Sequence, residues 1–88
     1  MAILRLPEVM KMFGYRAHAS VYNAIKDGIF PKAVAIGERS VGWPDDEVEQ
    51  IYRALVAGFT KDQLKQLVSN LHNKRISAAN FEMIVDGA

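Results

Sequence analysis

A mainly α-helical domain carrying one small β-hairpin is the fold class that the sequence predicts, and three observations predict it. Apolar residues recur at helical spacing in two short blocks separated by a glycine-containing turn. The period then changes to alternation on either side of Gly37-Glu38, the pattern of a hairpin. Helical periodicity resumes after Pro44. Helix, turn, helix, hairpin, helix is the element order of a winged helix-turn-helix.

Each element has a local cause. Leu6, Val9, Met10 and Phe13 fall on one helical face that begins near Pro7, a residue suited to the first turn, and Gly14 stops it. Ala17, Val21, Ala24 and Ile25 form a second face, ending at Asp27-Gly28. Phe30-Pro31 cannot continue a helix, and Ala33-Val34-Ala35-Ile36 and Arg39-Ser40-Val41-Gly42-Trp43 read as two brief strands. With a two-residue turn at Gly37-Glu38, Val34, Ile36, Val41 and Trp43 share the face turned to the helices. Pro44-Asp45-Asp46-Glu47 opens a third helix, with its acids complementing the positive end of the helix dipole. Val48, Ile51, Tyr52, Leu55 and Val56 supply its apolar stripe before Gly58. A fourth helix starts at Thr60, with Gln63 as its capping-box partner, and is expected to close at Asn73-Lys74-Arg75. A further short helix capped by Ser77 is expected up to Val85.

The chain of 88 residues has room for one small domain, read here as a winged helix-turn-helix over 1–57 and a helical extension over 58–88. Half of the residues are hydrophobic and 24% are charged, which excludes a disordered tail. Cysteine is absent, which removes disulfides, thiolate metal sites and cysteine nucleophiles together. The amino terminus carries Arg5 and Pro7 instead of an apolar leader, and no apolar run is long enough to span a bilayer. A cytoplasmic protein is expected, nucleoid-associated when bound to DNA, with no membrane partner. The net charge of +1 is unevenly spread: residues 1–43 carry six Lys/Arg against three acids, and residues 44–88 five against seven. One end suits a polyanion and the other does not.

Projected as a helical wheel, the second block turns Arg16, Ala19, Ser20, Asn23 and Lys26 outward, with Tyr22 at the edge. Any amphipathic helix has a polar outer face, but this one is basic and follows a turn. Arginine pairs bidentately with guanine, asparagine with adenine, and small residues allow close approach in a major groove. Lys26 and the Tyr22 hydroxyl suit phosphates, which fix register. The hairpin adds Lys32, Arg39 and Ser40, with Arg39 placed to reach a minor groove or a phosphate. Double-stranded DNA is therefore the expected partner. No enzyme, cofactor, metal or small-molecule ligand is expected. His18 and His72 lack metal-ligand spacing, the acids at 45–49 are explained by the helix dipole, and there is no phosphate loop or nucleophile elbow. Trp43 is read as core in preference to a stacking platform for a base.

The residues Leu4-Arg5-Leu6-Pro7-Glu8-Val9, Gly14-Tyr15, Ser20-Val21-Tyr22, Ile25-Lys26-Asp27-Gly28, Phe30-Pro31, Val34, Gly37, Arg39 and Val41-Gly42-Trp43 resemble the AlpA family of phage and prophage regulators. The resemblance covers residues 3–57 and is most specific from Ile25 to Trp43. It implies a MerR-like winged helix-turn-helix, related to excisionases, that regulates transcription on a prophage or genomic island and promotes integrase expression and excision. Ser20, Tyr22 and Lys26 fall where the family's recognition helix meets DNA, and Arg39 where its wing does. Many members place a serine or threonine after the turn glycine; this chain has Tyr15-Arg16-Ala17-His18-Ala19, one residue longer and without that hydroxyl. Direct action as a DNA-bending excisionase and a protein-interaction module on the same fold are the alternatives. In the extension, Leu64, Leu67, Val68 and Leu71 must be buried, either on the chain's own domain or in a homodimer reinforced by Phe81, Ile84 and Val85.

Overall fold

A computed structural model describes the backbone of residues 2–87 and the side chains of residues 2–78. The elements follow the order β1 (Ile3–Leu4), α1 (Leu6–Phe13), α2 (His18–Lys26), β2 (Val34–Ala35), β3 (Val41–Pro44), α3 (Asp45–Val56) and α4 (Lys61–Gly87). Four helices and a small antiparallel sheet of order β1-β3-β2 are compatible with the winged helix-turn-helix. Among the described residues, no helix is long and apolar enough to cross a membrane.

Helix α1 starts with Pro7 in its first turn, and the Glu8 carboxylate accepts the Arg5 backbone N–H at 3.1 Å. It ends at Gly14, whose φ of 72° lets Tyr15 N–H close back on the Met10 carbonyl at 2.9 Å. Helix α2 begins one turn later, with Ala17 in the cap position and no side chain bonding the free N–H groups. Ala17 is therefore an exposed cap residue and not part of the inner face, which consists of Val21, Ala24 and half-buried Ile25. Ala17 already has extended backbone, so Ala17→Ser or Ala17→Asp should stabilise the fold by about 0.5–1 kcal/mol, read as a higher thermal midpoint.

The sheet corrects two expectations. Strand β1 was not foreseen, yet Ile3 pairs with Pro44 and Leu4 with Trp43, and the Asp45 N–H reaches the Ala2 carbonyl at 2.9 Å. The hairpin loop is Gly37-Glu38-Arg39, closed by Ile36 N–H on the Ser40 carbonyl at 2.9 Å, so Val34 faces Gly42 and Ala35 faces Val41. That third loop residue shifts the register by one and puts Val34 and Ile36 on the opposite face from Val41 and Trp43. The four do not share a face. Leu4 and Trp43 face the helices, whereas Ile3 and Ile36 lie exposed on the outer side beside Gly42.

The core joins Val9, Val21, Ala24, Phe30, Trp43, Val48 and Ile51 to Val68 and Leu71 of α4. Trp43 is fully buried, so neither ring face is left for a base. Its indole N–H donates to the Pro31 carbonyl at 2.8 Å, and its ring meets Phe30 edge-on at 5.9 Å. Phe13 extends the aromatic chain to Phe30 and Tyr52. In α3 the inner face is Glu47, Val48, Ile51 and Ala54; Tyr52, Leu55 and Val56 of the expected stripe are exposed, Val56 at 74%. The stripe was one position out of phase because small Ala54 and acidic Glu47, not the bulkier neighbours, turn inward.

Thr60 and Gln63 form the expected reciprocal cap, at 2.8 and 3.2 Å. Helix α4 does not close at Asn73-Lys74-Arg75: it runs on to Gly87 as one helix, so Ser77 caps nothing. Asn-Lys-Arg lacks the glycine or proline that forces a stop, and Arg75 is held by tertiary partners. Its guanidinium pairs through Nε and Nη2 with the Glu47 carboxylate, Nε to Oε2 at 2.8 Å, and Nη2 also donates to the Lys32 carbonyl at 3.0 Å. Leu64, Val68 and Leu71 are only 3–4% exposed, with Leu67 partly buried against the same core. Leu64, Val68 and Leu71 are thus buried within the chain itself, while Leu67 keeps part of its surface in the open. The side chain of Phe81, with those of Ile84 and Val85, lies outside the described residues.

His72 accepts the Lys32 N–H on Nε2 at 3.1 Å. Its pKa is lowered from the usual 6.5, first by burial and then by Arg75 and Lys32, against an opposing pull from Glu47. Above 6.5 the ring is neutral in both folded and unfolded chains, and the bond is intact. As pH falls below 6.5 the unfolded chain takes up the proton first, so stability declines until the lowered folded value is passed. The urea midpoint should therefore drop between neutral and mildly acidic pH. In His72→Gln, whose amide oxygen can still accept from Lys32, that step should be smaller. Identical pH profiles for both proteins would contradict this role for His72.

Candidate nucleic-acid interface

Helix α2 is packed against the core through Val21 and Ala24, which forces the opposite side into solvent. Ala19, Tyr22, Asn23 and Lys26 recur at i, i+3, i+4 and i+7 and are all exposed, making one continuous face. Tyr22 stands out at 45% exposure. Ser20 is half-buried on the flank of this face. Arg16 is exposed but precedes the cap residue Ala17, so it lies outside the helix and not on its outer wheel. The reason is the late start of α2: residues 14–17 are spent on the turn.

The face carries Lys26, and its one acid, Asp27, stands at the C-cap. No acid occurs between Glu8 and Asp27, a stretch that holds Lys11, Arg16 and Lys26. A small residue at Ala19 allows the helix axis to approach a partner closely, while Asn23 offers both a donor and an acceptor. Arg39 is the last residue of the hairpin loop and exposed; Ser40, half-buried, closes the loop by its carbonyl. The hairpin thus holds a cation at its tip on a connection fixed by the β2–β3 register.

Lys32 does not belong with Arg39. The two stand at opposite ends of β2, and the backbone of Lys32 is held by His72 and Arg75 of α4. Sequence reasoning missed this polar pin of Lys32, Glu47, His72 and Arg75. Glu47 was explained by the helix dipole alone, and a pairing 28 positions away leaves no local signal.

Comparison with known proteins agrees with the architecture. Residues 2–54 match the model of the family described as Prophage CP4-57 regulatory protein (AlpA). Uncharacterized protein ORF88 of Enterobacteria phage P4 is 36% identical over 55 residues, covering 62% of this chain and 61% of the phage protein. The chain thus spans about three-fifths of the length of that relative. No solved structure matches. The pin residues His72 and Arg75 lie beyond the stretch matched to the family.

Proposed function

The chain belongs to the family of the Prophage CP4-57 regulatory protein (AlpA), and from that premise we propose that it regulates a prophage or genomic island by sequence-specific binding to double-stranded DNA. The observation that carries the reading is the exposed face of Ala19, Tyr22, Asn23 and Lys26, with an acid only at its C-cap, Asp27, on a helix whose other side is locked into the core. In the bound state α2 lies in a major groove. Asn23 reads a base edge there, preferentially adenine, and Ala19 lets the helix seat. Tyr22, Ser20 and Lys26 hold phosphates, Arg16 approaches the backbone at the start of the helix, and Arg39 with Ser40 engages the adjoining backbone or minor groove. The regulated step is integrase expression and, through it, excision of the element.

Base-reading and phosphate-holding residues should separate experimentally. Asn23→Ala should cost about 1–3 kcal/mol on the preferred duplex and little on scrambled DNA. Lys26→Ala and Arg39→Ala should instead weaken both duplexes alike and flatten the salt dependence. Fluorescence anisotropy on the two duplexes across a salt series reads both effects. Wild-type binding that all three variants leave untouched would move the interface elsewhere on the molecule. Marked bending of the bound duplex would favour an excisionase acting directly on an attachment site.

A further inference from the structure

A second basic surface lies where α4 crosses the end of α2, outside the family-matched segment on its α4 side. It is an open cleft of about 480 Å³, floored by Ile25 and Val68 and rimmed by Lys32, Lys65, Ser69 and Asn73. None of its lining residues is acidic. Lys65, Ser69 and Asn73 follow one another at i, i+4 and i+8 and present one side of α4 to the cleft. The stem of Lys65 passes close to Gly28: its Cγ lies 3.6 Å from where a β-carbon on that glycine would sit. On the facing rim, Lys32 is fixed by its backbone, N–H to His72 and carbonyl to Arg75. Two cations from separate elements thus line one concavity, with a hydroxyl and a carboxamide beside them.

We propose that this cleft binds backbone phosphate of the same DNA duplex, with Lys65 and Lys32 as the charged contacts, so that α4 lengthens the footprint beyond α2 and the hairpin. The inference rests on the DNA-binding reading and deepens it. Two features favour a polymer backbone over a free anion. The cleft is open to solvent, and it reaches Ile25 and Gly28, which flank Lys26 and Asp27 at the end of the recognition face. Phosphate contacts of this kind carry no sequence information; they raise affinity for all DNA and set the angle at which the reading helix enters the groove.

The test uses the full chain and two labelled duplexes, preferred and scrambled, titrated across a salt series. Lys65→Gln keeps the stem over Gly28 and removes the charge. It should weaken both duplexes by the same factor and reduce the slope of log affinity against log salt by about 0.9, with Lys32→Gln removing a similar further amount. Lys65→Glu should weaken binding more than Lys65→Gln, while thermal unfolding of each variant shows the fold intact. Unchanged affinity and slope in folded Lys65→Gln, with salt-dependent wild-type binding, would overturn the inference and leave the DNA reading standing. Failure of the wild type to bind either duplex would overturn the reading itself. A parallel titration with inorganic phosphate alone separates the sources. Saturating amide shifts at Lys65 and Ser69, combined with an unaltered DNA slope, would make the cleft a free-phosphate site and refute the backbone contact.

Discussion

Arg75→Leu should lower the unfolding free energy by about 3 kcal/mol, because it strands a charge instead of merely removing a bond. The Glu47 side chain is only 8% exposed, and its carboxylate receives both Nε and Nη2 of Arg75. With leucine opposite, that carboxylate must stay buried without its partner or drag the start of α3 toward water. The same substitution removes the donor to the Lys32 carbonyl and so loosens α4 from the entry to the hairpin. In a domain of 88 residues a loss of this size is a large part of the total stability. The double variant Glu47→Leu/Arg75→Leu should recover most of it, since neither buried charge remains. Urea midpoints of the single and double variants check this directly. Additive losses would show that the pair is not energetically coupled.

Gly42→Ala is the second large effect, expected at about 1–3 kcal/mol. A β-carbon there would collide with Cγ2 of Ile3 and lie 2.9 Å from the Leu4 carbonyl oxygen. The first collision is with a half-exposed side chain that could swing away. The second is with backbone, so β1 must move off β3 and give up its pairing with Trp43 and Pro44. Adding Ile3→Ala to Gly42→Ala should therefore restore only part of the loss. Full restoration would place the whole cost in the side chain and leave the strand contact without consequence. Because β3 also carries the hairpin, the same substitution should weaken DNA binding through the wing, beyond what reduced stability explains.

The helices were legible because their signals are local. Gly14 ends α1, Thr60 and Gln63 begin α4, and the i, i+3, i+4 stripes of α1 and α2 name buried Val9, Val21 and Ala24, with Ala17 alone of the eight turned out. What the sequence hid was set by partners distant along the chain. Ile3-Leu4 is too short to announce a strand, and it becomes one only beside Trp43 and Pro44. The hairpin register turned on a single loop residue, Arg39, and with it the side to which Val34 and Ile36 point. The continuation of α4 past Asn73-Lys74-Arg75 accompanies an ion pair reaching back to Glu47. The candidate interface followed the same rule. The outward placement of Tyr22, Asn23 and Lys26 was legible from the helical period alone, whereas Arg16 and Lys32 were displaced by the late start of α2 and by the grip of α4 on the chain before β2.

The central claim is that the exposed side of α2 reads DNA sequence, and selection from a pool of randomised duplexes tests it most directly. The wild-type chain should enrich one motif and then bind that duplex at least ~10³-fold tighter than a scrambled one, with affinity falling steadily as salt rises. Asn23→Ala should relax the base preference at one position of that motif. Equal and weak binding to every duplex, with no motif enriched, would contradict the account.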